Sequence, residues 1–459
     1  MNHVLIKVRE RNLSLGTDLS AWGQAGTVML LALAVTTGSA PLAWSYKCGN
    51  YSWAVAVSSD GRHVIAGSDD MHAYFFSADS AEGKPLWSYM ASGYVRHVAI
   101  SSNGTYAAAS DTDGNIFFFR LGVLGHPIWS FRADSPIDAL AMTQDGDYLV
   151  GGDRKGRVYL FSAEGTGQPL WQGEVPGGVF ALSFSQSRVL AVTSSRGGLY
   201  FFGELPFRSG YIWIFQEYTS FPQLAMSDDA SYIITGGSDG YVYLLWRSGD
   251  LADRRRLGGA VSALSLSRAT GRAVVGSTNG NASLYAIQDG LATIGSVATH
   301  GPLTSASISE NGERVSVATL DGVISMFSQS LAATLWTFNT GAVVHSLSMS
   351  SDGLVVAAAG DTGNIYLFEE EAHAKKNGVA LGIALVSVAV AAFAVAYFVW
   401  RRRTILWKTK TGAGKTYHYR HHDHSRGTSS HEAFNGRRSS VRRICCVSVH
   451  DHAIARLDV

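Results

Sequence analysis

The stretch VRHVAISSNGTYAAASDTDGNIFFFRLGVLGHPIW, residues 95–129, holds three short runs of aliphatic and aromatic residues, VRHVAIS, YAAAS and NIFFFRL, and closes on a fourth that opens with Pro-Ile-Trp129. Asn103-Gly104 separates the first run from the second, and Asp113-Gly114 the second from the third. Runs of this length and composition read as β-strands. Asn-Gly and Asp-Gly supply the positive φ of tight two-residue hairpins, so consecutive strands are expected to pair antiparallel.

The unit repeats along the chain. PLAW ends at Trp44, PLW at Trp87, PIW at Trp129, PLW at Trp171, YIW at Trp213 and TLW at Trp336, with spacings of 43, 42, 42, 42 and 123 residues. The last spacing is three periods, so two copies have lost the tryptophan, and their remains lie around 254–256 and 294–297. A period near 42 with four strands per copy predicts the blades of a propeller. The first turn recurs as Asp60-Gly61, Asp145-Gly146, Asn311-Gly312 and Asp352-Gly353, the second as Asp239-Gly240, Asn279-Gly280 and Asp321-Gly322. The runs AVAVS, HVAIS, ALAMT, ALSFS, QLAMS, ALSLS, SASIS and SLSMS fall once per period and suit crowded inner strands around an axis.

There are eight three-strand sets and eight PLW-type strands, but the first PLW-type strand, 41–46, precedes any set of its own. It is expected to supply the outer strand of the last blade, closing the ring and covering a free sheet edge. Pro41, Pro85, Pro127 and Pro169 suit that outer position, where a missing backbone N–H is tolerated. The expected fold is all-β: an eight-bladed β-propeller of four-stranded antiparallel blades over residues 41–372, followed by one transmembrane α-helix and a disordered basic tail.

The repeats resemble the WD40 and PQQ-like propeller superfamily over about residues 41–372. SAEGKPLW and SAEGTGQPLW resemble the PQQ-type outer strand, in which a turn glycine precedes a tryptophan that docks between blades. The resemblance implies that docking role for Trp44, Trp87, Trp129, Trp171, Trp213 and Trp336. The WD dipeptide and the upstream Gly-His of WD40 repeats are missing. A PQQ-dependent dehydrogenase is the enzyme the resemblance offers, and its chemistry needs a cofactor over the axis, oxygen ligands for calcium, a catalytic acid and often adjacent cysteines. The vicinal cysteines here are Cys445 and Cys446, far beyond the repeats, and the aspartates occupy turns. The chain is therefore read as a non-enzyme with no catalytic residue, no cofactor and no metal site.

Residues 378–400 carry no charge over 23 positions, which at about 1.5 Å per residue reaches roughly 34 Å, enough to cross a bilayer. Tyr397 and Trp400, followed by Arg401, Arg402 and Arg403, read as an interfacial anchor that keeps the following residues in the cytosol. At the other end, Lys7, Arg9 and Arg11 precede an apolar run at 27–35 and small residues at 36–40, so 1–40 reads as a signal peptide or targeting segment, with Pro41 unfavourable for cleavage. Residues 373–377 form a linker and 401–459 a basic, His-rich tail. Charge divides accordingly: 30 Asp+Glu against 21 Lys+Arg over 41–377, but 4 against 13 over 401–459.

Other motifs carry less. His72, His97, His126, His300 and His345 are scattered over different repeats without metal-ligand spacing, and the tail cluster His418, His421, His422, His424 and His431 lies among arginines that suit anionic lipid. TGAGKT at 411–416 lacks the first glycine and the preceding strand of a phosphate loop. Asn50, Asn103 and Asn281 open glycosylation triplets, and Gly378 and Gly382 form a small-residue motif through which the span could homodimerise.

Together these features predict a single-pass cell-membrane or endoplasmic-reticulum protein whose propeller faces away from the cytosol and binds a protein through its loops, with no nucleic-acid partner. The longer connections 121–126 and 203–210, the latter including Phe207 and Arg208, are the expected contact patch. Two other placements fit the same features: an assembly factor for envelope or membrane proteins, and a trafficking scaffold facing the cytosol.

Overall fold

The computed structural model describes residues 38–80, 82–122, 125–205 and 210–370. The targeting run before residue 38, the linker, the span 378–400 with Tyr397, Trp400, Arg401, Arg402, Arg403, Gly378 and Gly382, and the tail lie outside the described residues. So do 123–124 and 206–209 of the expected contact patch. Among the described residues, no helix is long and apolar enough to cross a membrane.

The described chain forms eight sheets, and in six of them the four strands follow sequence order from inner to outer. The repeat quoted above is blade 2: Val95–Ile100, Tyr106–Asp111, Asn115–Arg120 and Trp129–Arg132, each antiparallel to the next. Its third strand is a continuous apolar run because both faces are covered; Ile116, Phe117, Phe118 and Phe119 are all buried. Blade 1 starts at Ser52–Val57, blade 3 at Ile137–Met142, blade 4 at Val179–Phe184, blade 5 at Gln223–Met226, blade 6 at Val261–Ser267, blade 7 at Leu303–Ile308 and blade 8 at Val344–Met349.

The ring closes through the chain start. Leu42–Lys47 pairs antiparallel with Asn364–Glu369 and becomes the outer strand of blade 8. Just before it, Gly38–Ser39 adds a fifth, parallel strand to the outer edge of blade 7, against Trp336 and Thr337. Residues 38–40, grouped by the sequence with the targeting segment, are thus part of the ring.

The turns between inner and second strands differ from the two-residue hairpins expected. Only the glycine has positive φ, 74° at Gly61, 69° at Gly104 and 82° at Gly146, whereas a two-residue hairpin of the Asn-Gly kind needs it at both central positions. The backbone instead makes a type I turn, Gly61 N–H donating to Ser58 C=O, with the glycine at its fourth position. The aspartate or asparagine accepts a backbone N–H two residues on, as Asp60 does from Arg62. Arg188 and Ala230 take the glycine position in blades 4 and 5 at φ of 62° and 55°, which is why those two turns carry no glycine signal.

A second device sits at the end of each inner run. Ser58, Ser101, Thr143, Ser185, Ser227, Ser267, Ser309 and Ser350 are all buried. The hydroxyl of Ser58, for example, donates to Asp60 and accepts from the N–H of His63, holding both sides of the turn. From these turns a belt of backbone bonds passes between neighbouring blades: Glu310 N–H to Ser351 C=O, Ser351 to Ser59, Ser59 to Ser102, and Ser102 to Gln144.

Candidate functional site: the mouth of the channel

At the opposite end of the ring, every blade makes the same backbone bond. On seven blades the residue after the second strand donates its N–H to the carbonyl just before the inner strand, Asp69 to Tyr51, Thr112 to Tyr94, Arg154 to Pro136, Ser195 to Gly178, Thr278 to Ala260, Leu320 to Pro302 and Asp361 to Val343, and in blade 5, whose strands there are shorter, Ser238 donates to Ser220, all at 2.8–2.9 Å. Eight turns and eight inner-strand starts therefore share one face. On seven blades the second residue of the inner strand is skipped by the pairing with the second strand and stands at this mouth; in blade 5 the inner strand begins later, at Gln223.

On blades 8, 1 and 2 those residues touch. His345 stacks on Trp53 at 4.0 Å between ring centroids, and the Arg96 guanidinium lies 4.5 Å from the Trp53 ring, a cation–π distance. Arg96 forks onto both carboxylate oxygens of buried Asp69 at 3.1 Å, while His345 Nε2 is 2.6 Å from Asp361. On blade 3, Arg154 makes the same two-pronged contact with Asp138 at 2.9 Å. Bidentate charge-assisted bonds fix the planes of the guanidinium groups. At this same end of the ring Tyr51, Tyr94, Phe180, Tyr218 and Leu320 are exposed; they lie at the starts of inner strands, in loops leading to them, or in the adjoining turns.

The other mouth is built differently. Gln144 of blade 3 donates to both oxygens of Asp228 of blade 5, Arg268 lies 3.6 Å from Asp228, and Glu310 accepts from the N–H groups of Arg268 and Ala269. Polar groups there are spent on one another.

The tryptophans singled out in the sequence lie between blades. Trp129 is sandwiched by Phe118 of its own blade and Phe161 of the next, at 4.8 and 5.1 Å, and its indole N–H reaches the Ala163 carbonyl. Trp44 meets Phe76 and donates to Ala78; Trp87 lies between Phe75 and Phe119; Trp171 meets Phe202 edge-on; Trp213 stacks on Phe201 and donates to Arg247; Trp336 stacks on Phe368. The strand register puts Asp253 and Gly295 at the two positions without tryptophan. Asn50 and Asn103 are exposed, on opposite faces of the ring, whereas Asn281 opens a strand and is half-buried. Among the described residues, no group of three or more His, Cys, Asp or Glu is placed to hold a metal.

Trp53, Arg96, Asp69 and Asp361 were not singled out by sequence reasoning, and His345 was read there as one of several scattered histidines. The signal that could have found them is positional: each is the second residue of an inner strand or belongs to the turn above it.

The WD40 family pattern (WD domain, G-beta repeat) matches residues 46–77 and 83–120, within blades 1 and 2 and the closing strand. No curated relative matches the sequence. Solved structures share the fold: Sqt1 of Saccharomyces cerevisiae, at 12% identity over 72% of this chain and 100% of that one with a TM-score of 0.64; Sqt1 of Chaetomium thermophilum bound to the N-terminus of ribosomal protein L10, at 14%, 72%, 100% and 0.64; and the computationally designed Ika8 protein, at 18%, 72%, 100% and 0.62.

Proposed function

We propose that this chain is a non-catalytic, membrane-anchored propeller that binds a protein partner at the channel mouth described above. The observation that carries the reading is the Trp53–Arg96 pair, with the Tyr94 ring 5.7 Å from the same guanidinium and Tyr51, Phe180 and Tyr218 exposed at the same end of the ring. Aromatic and arginine side chains dominate protein-binding energetics, and here the arginine is already oriented by Asp69. The Sqt1 structure with a bound protein N-terminus supports the same use of a propeller of this fold. Anchoring through 378–400, with the propeller outside and the tail in the cytosol, rests on the uncharged run and the three arginines that follow it. The two other placements, an assembly factor or a cytosol-facing scaffold, share the contact face and differ in partner or orientation.

The test is site-specific photocrosslinking in intact membranes. A crosslinker at Tyr94, Phe180 or Tyr218 is expected to trap a protein adduct, and one at Ser187 on the opposite face is not. Adducts from Ser187 alone, or from neither face, would overturn the reading.

A further inference from the structure

Between most neighbouring blades a pair of aromatic rings fills the same place. One ring comes from the outer strand, two residues beyond the tryptophan position; the other is the third residue of the next blade's third strand. The pairs are Tyr46–Tyr74, Tyr89–Phe117, Phe131–Tyr159, Phe215–Tyr243 and Phe338–Tyr366, with centroids 4.9–5.7 Å apart. In two of them the tyrosine finds a carboxylate four residues earlier in the turn, Tyr74 donating to Asp70 at 2.6 Å and Tyr243 to Asp239 at 2.5 Å, and in a third Tyr366 donates to the Thr362 hydroxyl at the same spacing.

The remaining places are filled in other ways, except one. Between blades 3 and 4 the outer residue is Gly173, over which the Trp171 ring tips, leaving 2.1 Å to where a Cβ would stand. Between blades 5 and 6 the pair is Arg255 and Ser283, and the arginine reaches across to the Leu291 carbonyl. Between blades 6 and 7 the pair is Val297 and Ser325, and an open cleft of about 230 Å³ remains, walled by both residues with Phe327, Thr319, Thr334 and Thr337. Drug-sized ligands occupy pockets of roughly 300–1,000 Å³, so this space suits a single ring. Asp321, four residues before Ser325 and equivalent to Asp70 and Asp239, is retained although its tyrosine is not; it accepts the Thr319 hydroxyl.

We propose that the cleft between blades 6 and 7 binds a tyrosine side chain of a partner polypeptide, its ring against Phe327 and Val297 and its hydroxyl on the Asp321 carboxylate. A polypeptide is favoured over a free phenol by the neighbouring edge. Leu291–Ala298, at eight residues, is the longest outer strand among the described residues, and none of them pairs its outer side, whereas blade 7 shows such an edge accepting one more strand in Gly38–Ser39. The site does not rest on the reading of the channel mouth.

Ligand-observed NMR on the purified full chain tests this with N-acetyl-tyrosinamide, N-acetyl-phenylalaninamide and a blocked Ala-Ala-Tyr-Ala-Ala peptide. The peptide is expected to bind at least tenfold more tightly than the tyrosine amide, and the tyrosine amide more tightly than the phenylalanine one. Ser325→Tyr, which rebuilds the missing ring from within, should weaken peptide binding at least tenfold and raise the unfolding midpoint. Asp321→Asn should equalise the tyrosine and phenylalanine amides, and it decides the matter should Ser325→Tyr fail to fold. Undiminished binding to Ser325→Tyr, an unchanged tyrosine preference in Asp321→Asn, or equal affinity for peptide and amide would each overturn the proposal.

Discussion

His97 stands on the innermost strand of blade 2 where the other blades carry Ala54, Ala139, Ala181, Gln223, Ala263, Ser305 and Ser346 at the equivalent register. Burial among the inner strands pushes its pKa down to about 4, only partly offset by Asp138. The native ring is therefore neutral between about pH 4 and 6.5, while the unfolded chain takes up a proton near 6.5. Its contribution is complete above about pH 7 and is lost as pH falls from about 6.5 towards 4. Burial lowers His63 as well, in the same direction. His97→Ala is expected to shrink the stability lost between pH 7.5 and 5.0 by about 1–2 kcal/mol. Urea midpoints at the two pH values check this, and an identical loss in both proteins would refute it. Neither the register nor the burial of His97 is legible in sequence, where it is one histidine among several.

At the scale of the strand, the outer elements are short, with four residues in blades 1–4, and one large ring does much of their anchoring. Trp129 is 5% exposed and stacked on both sides, while Trp87 and Trp171 keep part of their surface in water. Trp129→Ala is expected to destabilise the propeller by about 3–5 kcal/mol and the other two by less, because the cost of truncation grows with the volume of the cavity that neighbours cannot refill. Equilibrium unfolding of the three variants measures the order, and an unchanged midpoint for Trp129→Ala would place its energy elsewhere. The PLW motif made these strands visible from the sequence. The turn geometry was less so: Asp-Gly fits two kinds of hairpin, and the hydroxyl of the preceding serine, bonded across the turn, belongs to the kind observed.

For the whole molecule, closure depends on ten residues far in sequence from the strands they complete. Leu42–Lys47 finishes blade 8, Trp44 docks on blade 1, and Gly38–Ser39 covers the edge of blade 7. Deleting 38–47 leaves two edges open and removes the ring between blades 8 and 1, so cooperative unfolding should be lost or its midpoint lowered sharply. Circular dichroism melting of the deleted chain checks this; an unchanged midpoint would mean that the ring holds without its closing strands.

The sequence by itself determined the number of strands in each repeat, their grouping into eight blades and the source of the closing strand, because strand and turn preferences are local and repeat with the period of the hydrogen-bonded unit. Only the tertiary structure decided which side chains meet at the mouth. Trp53 and His345 are stacked because the ring brings its last blade against its first, a relation between residues at opposite ends of the fold. The cleft at Ser325 has the same origin: a serine in a strand is unremarked in sequence, and becomes an empty place only when neighbouring blades show the ring that fills it elsewhere.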